Sequence, residues 1–159
     1  MFTPRIIRLE EKKLIGQSIV MSVLNNQTGK LWSAFMARRS EIEHALASSL
    51  FSLQVYPQGY HKNFNQASEF TKWALVEVLN FDHIPEGMQT LVLQAGDYAV
   101  FNYKGSSADP RIFQYIYGEW IPNSEYVLDD RPHFEILGEK YKNNDPNSEE
   151  EIWIPIKKK

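Results

Sequence analysis

The stretches SLQVYPQGY (residues 52–60) and HFEILGEKY (residues 133–141) decide the fold, because a shift of 81 positions (53 to 134) lays one on the other. Phe134 then falls on Leu53, Ile136 on Val55 and Tyr141 on Tyr60. Both stretches alternate apolar with polar residues, the pattern of a β-strand. In the second, Phe134 and Ile136 point to one face, and His133, Glu135 and Leu137 to the other. The same shift sets Phe113 on Trp32 and Ile116 on Phe35, while a shift of 80 pairs Trp73 with Trp153 and Gly16 with Gly96. An offset constant to one residue over four elements predicts an internal repeat. The implied architecture is α+β: a single domain over 1–159 made of tandem ββαββ units, about 5–80 and about 87–157. A pseudo-twofold axis would relate them, with two main helices on an antiparallel sheet and a central ligand cleft.

The remaining elements follow from local pattern. PRIIRLEEKKLIGQSIVMSV predicts two strands joined at EEKK, since β-branched residues cluster on both sides. NNQTGKLWSAFMARRSEIEHALASSL, residues 25–50, reads as one helix. Its apolar stripe holds Leu31, Trp32, Phe35, Met36, Ile42, Ala45 and Leu46, and Thr28 is a candidate N-cap. PQGYHKNFNQASE reads as a loop and FTKWALVEVL as a strand. MQTLVLQAG and DYAVFNYKG are strands joined at a glycine, and EEIWIPI closes the sheet. DPRIFQYIYGEWIP is a second helix, capped by Asp109, with Pro110 at N1 and Pro122 ending it.

Composition bounds the function. The chain has 159 residues, a net charge of −3 and a pI near 5.8, so it has no basic footprint for nucleic acid. No cysteine is present, which excludes disulfides, thiol catalysis and thiolate metal sites. The four histidines, at 44, 61, 83 and 133, have no metal-ligand spacing and read as scattered surface residues. Neither a phosphate-binding glycine loop nor a nucleophile elbow occurs. No apolar run approaches the roughly 20 residues of a membrane span, and charge interrupts the N-terminus before a signal-peptide core could form. Neither a cofactor nor a metal is expected, and the expected location is cytoplasmic.

The segments FTKWALVEV, IPEGMQTLVLQAGDYAVFNYKG, IFQYIYGEWIPNSEY, DDRPHFEILGEKY and EEEIWIPI together resemble the GyrI-like small-molecule-binding domains, from about residue 5 to 157. That family includes effector-binding domains of multidrug-responsive transcription activators of the AraC and MerR types, and a stand-alone DNA gyrase inhibitory protein. The resemblance implies the tandem ββαββ fold that the repeat suggests on its own. It also implies a cleft lined by aromatics, open to lipophilic and often cationic compounds, with a buried glutamate in the FE strand. The matching residue is Glu135. A second acid and an aromatic on the closing strand match Glu151 and Trp153. No helix-turn-helix precedes the domain, so a stand-alone binder is expected, without direct nucleic-acid or membrane binding; a protein partner is left open.

The chemistry is coherent. A carboxylate withdrawn from water among aromatic rings pays a desolvation cost, and an organic cation restores the balance. Aromatic faces add about 0.5–2 kcal/mol each through cation–π attraction. The candidate ligand-binding residues are Glu135, Gln54, Leu137, Tyr56, Tyr117, Phe113, Trp32, Trp73, Trp153 and Glu151. Gln54 is the repeat partner of Glu135, so one unit places an amide where the other places an acid. Glu135 is alternatively a solvated strand residue paired with Arg131 or a lysine, and Trp73 and Trp153 alternatively each sit in their own core. Two other functions use the same residues. In a hydrolase of cyclopropanoid compounds, which the resemblance permits, Glu135 would be the general base. A gyrase-modulating protein would need an interaction surface that the sequence does not mark.

Overall fold

Every strand pairing in the computed structural model, which describes residues 2–159, is antiparallel. The strands are β1 (Arg5–Leu9), β2 (Lys12–Met21), β3 (Leu50–Val55), β4 (Phe70–Val78), β5 (Gln89–Leu93), β6 (Gly96–Lys104), β7 (Tyr126–Leu128), β8 (His133–Leu137) and β9 (Glu149–Lys158). Helix α1 (Thr28–Arg38) lies between β2 and β3. Helix α2 (Arg111–Tyr115) continues through a π-type turn (Ile116–Trp120) into the short α3 (Ile121–Asn123).

Sheet order is β1-β6-β9-β8-β3-β4-β2-β5, with β7 added alongside β9. Exchanging β1 with β5, β2 with β6, β3 with β8 and β4 with β9 reproduces this order reversed, so the predicted tandem repeat is present. The first strand of each unit crosses to pair with the second strand of the other, β1 with β6 and β5 with β2. At the centre β3 meets β8, and Leu53 lies directly opposite its repeat partner Phe134. The pseudo-twofold axis passes between these two residues.

Residues opposite each other in antiparallel strands share a face, so the registers sort the sheet into two surfaces. On one, Leu53, Phe134, Trp153 and Val100 form a row across four strands. They pack with Leu9, Leu14, Leu75, Leu93 and Tyr98. The other face carries the helices. Leu31 and Phe35 of α1 cover Ile15, Ala74, Val76 and Val78. Ile112 and Ile116 cover Ala99, Phe101, Ile152 and Ile154. Each fully buried aliphatic or aromatic side chain contributes about 1.5–3 kcal/mol. Gly16 has a steric reason: a Cβ there would collide with the Ala74 carbonyl of the paired strand.

Two helix boundaries differ from the sequence reading. The first helix stops at Arg38, followed by a single 3₁₀ turn, Arg39–Glu41. Ala45 instead bridges Val78, with Leu46 N–H donating to the Glu77 carbonyl and Leu79 N–H to that of His44. Backbone pairing with the end of β4 thus replaces the last helical turns, and Leu46 is exposed. Thr28 is the first helical residue rather than the cap. In the second helix Pro110 holds the N-cap position and the Asp109 carboxylate accepts from Arg111 N–H. Pro122 lies inside the last turn, after the wider Ile116–Trp120 turn. Its missing N–H fits a place where regular i−4 bonding has already been broken.

Candidate functional site

Between the two helices, near the axis, the helix-bearing face of the sheet is polar. Ser52, Gln54, Lys72 and His133 are all buried there, and the registers place them with Glu135 on that face. Ser52 lies opposite Glu135, and Gln54 opposite both His133 and Lys72. Alternation along β9 adds Glu150, two residues from Ile152, which lies opposite Glu135. Glu135 keeps part of its surface accessible, yet protein surrounds the carboxyl closely enough that burial raises its pKa, against the opposing pull of Lys72 and Gln54. Glu135 is thus partly covered by its surroundings, and Arg131 pairs with Asp129 rather than with it.

A hydrogen-bonded chain crosses this floor. With the Gln54 amide oriented to satisfy both ends, its nitrogen donates to Glu135 Oε2 (3.2 Å) and to the His133 carbonyl (3.2 Å), and its oxygen accepts from the Lys72 ammonium. Burial lowers the pKa of Lys72, while Glu135 and Glu150 pull it back up. Glu150 is pushed up to about 7, first by burial and then by the Glu135 charge, with Lys72 opposing. Two carboxyls and one ammonium thus lie close enough to shift one another's protonation.

Aromatic side chains form the walls. The Tyr117 hydroxyl and His133 Nδ1 are 2.9 Å apart. Burial lowers His133 to about 3, so the imidazole is neutral at neutral pH and its Nδ1 shares a hydrogen bond with the hydroxyl. The His61 ring stacks on Tyr117 (5.2 Å between centroids) and on His133 (5.1 Å). Tyr56 sits edge-on to His133 at 4.9 Å and contacts Tyr60 and Phe70 at 4.6 and 5.1 Å. The segment 56–69, between β3 and β4, therefore stacks an imidazole ring on Tyr117 and His133.

The structure brings Glu135, Gln54, Leu137, Tyr56 and Tyr117 to this one face. Leu137 is buried on β8, two residues from Glu135. The other candidates lie elsewhere. Trp73 and Trp153 pack in the core on the opposite face, because each lies in the row through Leu53 and Phe134. Glu151 also faces away from Glu135; it accepts from Trp153 Nε1 (3.1 Å) and from Arg5 (3.1 Å). It borders a cavity of about 550 Å³ that Tyr103, Lys104, Lys140, Glu149 and Glu150 also line, so this cavity reaches the Glu150 end of the floor. Trp32 packs edge-on against Phe35 in the first helix layer (5.8 Å), and Phe113 packs in the second.

Sequence reading missed Lys72, Glu150, Tyr60, His61 and His133. The histidines are not all scattered surface residues: His61 and His133 stack on each other, and His133 is buried. Repeat comparison carried a signal for the charged pair. At a shift of 80, Lys72 takes the place of Ile152, and Glu150 that of Phe70. Each unit thus holds an ionisable group where the other holds a hydrocarbon.

Similarity to known proteins agrees with this geometry. The chain is 29% identical over 158 residues to the transcriptional regulator BrlR of Pseudomonas aeruginosa, covering 96% of this chain and 54% of that protein. It therefore spans about half the length of this curated relative. Among solved structures, SAV2435 bound to tetraphenylphosphonium superposes with a TM-score of 0.73 at 14% identity, covering 97% of this chain and 93% of that one. The EcmrR C-terminal domain superposes at 0.71 with 12% identity, covering 100% and 99%. These likenesses establish the fold. The family model for the GyrI-like small molecule binding domain matches residues 2–157, and the chain belongs to that family.

Proposed function

We propose that the cleft over Glu135 binds lipophilic organic cations, and that the chain sequesters or senses them in the cytoplasm without binding nucleic acid itself. The observation that supports this reading is the Glu135 carboxyl on the helix-bearing face, its pKa raised by burial, with Tyr56 and Tyr117 near enough to feel its charge and Tyr117 hydrogen-bonded to His133. A cation there recovers Coulomb energy that burial has withheld from the acid, and the ring faces add dispersion and cation–π attraction. Flat walls impose little shape selection, which supports a broad ligand range. The stacked position of His61 is a slot already sized for a planar ring. The bound cation in SAV2435, tetraphenylphosphonium, is of the proposed chemical class.

Isothermal titration with tetraphenylphosphonium tests the reading. The expected result is saturable binding, weakened on the order of tenfold or more in Glu135→Gln, as for the loss of a buried charge partner. Unchanged affinity in that variant would remove Glu135 from the site.

A second reading, hydrolysis of an electrophilic cyclopropanoid compound, draws on the same carboxyl. A glutamate whose pKa is raised by burial is suited to act as general base on a water. Turnover lost in Glu135→Gln favours it, and stoichiometric binding without product excludes it.

A further inference from the structure

Pseudo-symmetry fails at two ionisable positions on the cleft floor, and the failures compensate each other. Lys72 replaces the equivalent of Ile152, and Glu150 replaces the equivalent of Phe70. Lys72 is buried, and among the described residues its ammonium has no carboxylate within the 4.0 Å of an ion pair. Its hydrogen bond goes to the Gln54 carbonyl, and the same amide donates to Glu135. Such a cation costs several kcal/mol to bury unless opposite charge lies close by, and two carboxyls of opposite sign share its surroundings.

We infer that Lys72 is a built-in counter-cation of the cleft: bridged through Gln54 to Glu135, it cancels one of the two floor carboxylates. The cleft then offers its ligand a single net negative charge, supplied when Glu150 is ionised, and is matched to lipophilic monocations. This assignment rests on the proposed function and adds the charge class of the ligand and the way its uptake depends on pH.

The neighbours of Glu150 and Lys72 come from every surrounding element. Tyr103 on β6 lies opposite Glu150, and Tyr141 in the β8–β9 loop is close enough to feel both carboxyls. Tyr56 and Tyr117 feel Glu135, and His133 is neutral. All four tyrosines have raised pKa values and stay uncharged at neutral pH. On its other side Glu150 lines the cavity of about 550 Å³ with Lys104, Glu139, Lys140, Glu149 and Glu151; on the floor itself the charge is carried by Lys72, Glu135 and Glu150. Glu150, at about 7, titrates across the physiological range. Cation binding requires its ionised form, so apparent affinity falls about tenfold from pH 8 to pH 6, the competent fraction dropping in proportion. Near pH 7 uptake of the cation releases a proton.

Tetraphenylphosphonium titrations of the whole chain decide the matter. Lys72→Met should tighten binding on the order of tenfold, as expected for removing one like charge at an effective dielectric of about 20. Lys72→Met/Glu135→Gln, which deletes both members of the internal pair, should return close to wild-type affinity. Glu150→Gln should bind weakly and lose the pH dependence. Unchanged or weaker binding by folded Lys72→Met overturns the inference, as does a double variant no better than Glu135→Gln. Should Lys72→Met fail to fold, calorimetry at pH 7 in buffers of different ionisation enthalpy still decides: wild type must release a proton on binding and Glu150→Gln must not. Wild-type binding without these effects refutes the counter-cation alone. Binding by Lys72→Met but not by wild type supports it, and absence of binding by both overturns it together with the proposed function.

Discussion

Gln54 and Glu135, 81 residues apart, hydrogen-bond to each other beside the pseudo-twofold axis. They are the same position in two copies of one unit. A perfectly symmetric pair would bring either two carboxylates or two amides together there. The amide–acid combination avoids like-charge repulsion and gives the acid a hydrogen-bond donor. Pseudo-symmetry supplies the cleft, and its local failure supplies the polarity.

The acid of this pair is not the group expected to set the pH response of the unliganded protein. Glu150 has a folded-state pKa of about 7, above the usual value of about 4.3. The folded state therefore binds the proton more tightly than the unfolded state, and stability falls as pH rises from about 4.3 to about 7. Glu150→Gln removes this cost. Urea unfolding should show the variant roughly 1–2 kcal/mol more stable than wild type at pH 8, after discounting for partial solvent screening. The two should coincide at pH 4.

His133 works in the opposite direction. Its folded-state pKa, about 3, lies below the unfolded value of about 6.5. Its contribution is present above pH 6.5 and lost progressively as pH falls toward 3. A cost on the order of 4 kcal/mol accumulates over that window. Acid titration followed by circular dichroism should show wild type unfolding at a higher pH than His133→Gln, with both cooperative.

His61 is stacked on Tyr117 and His133. If a ligand ring takes this slot, the imidazole must leave it. Removing the side chain should then help binding rather than harm it. His61→Gly is expected to tighten tetraphenylphosphonium binding a few-fold, on the scale of one aromatic contact of about 0.5–1.5 kcal/mol that no longer has to be broken. Weaker binding would instead make His61 part of the bound cage.

How much of this was legible in the sequence depended on periodicity. The repeat was visible because Leu53 and Phe134, and Trp73 and Trp153, recur at an offset constant to one residue, and period-2 alternation put Glu135 and Gln54 at equivalent polar positions. Trp153 was counted among the ligand-binding candidates because alternation within one strand does not fix its face relative to another; only the pairing of Phe134 with Trp153 sets it on the opposite face from Glu135. Glu150 was hidden in a run of three glutamates, where only strand register tells the inward acid from its neighbours. His61 and His133 are 72 residues apart (133 − 61), and no local pattern shows that a loop will fold one ring onto the other. The end of α1 was misread because backbone pairing of Ala45 with Val78 overrides helical spacing, a tertiary effect that propensity does not contain.

Tyr117 separates structural from binding contributions most cleanly. Its hydroxyl reaches His133 Nδ1 at 2.9 Å, it lies in the π-type turn, and its ring lies under His61. Tyr117→Phe keeps the ring and deletes the hydroxyl, leaving the buried Nδ1 without this hydrogen-bond partner. The expected cost to stability is about 1–3 kcal/mol, with tetraphenylphosphonium affinity almost unchanged because the ring face persists. Tyr117→Leu also removes the aromatic face and should weaken binding a further three- to thirtyfold, the range of a cation–π contact of about 0.5–2 kcal/mol. Chemical denaturation and calorimetric titration of both variants check the two effects separately. Equal ligand affinity in the two variants would show that the ligand does not rest on the Tyr117 ring.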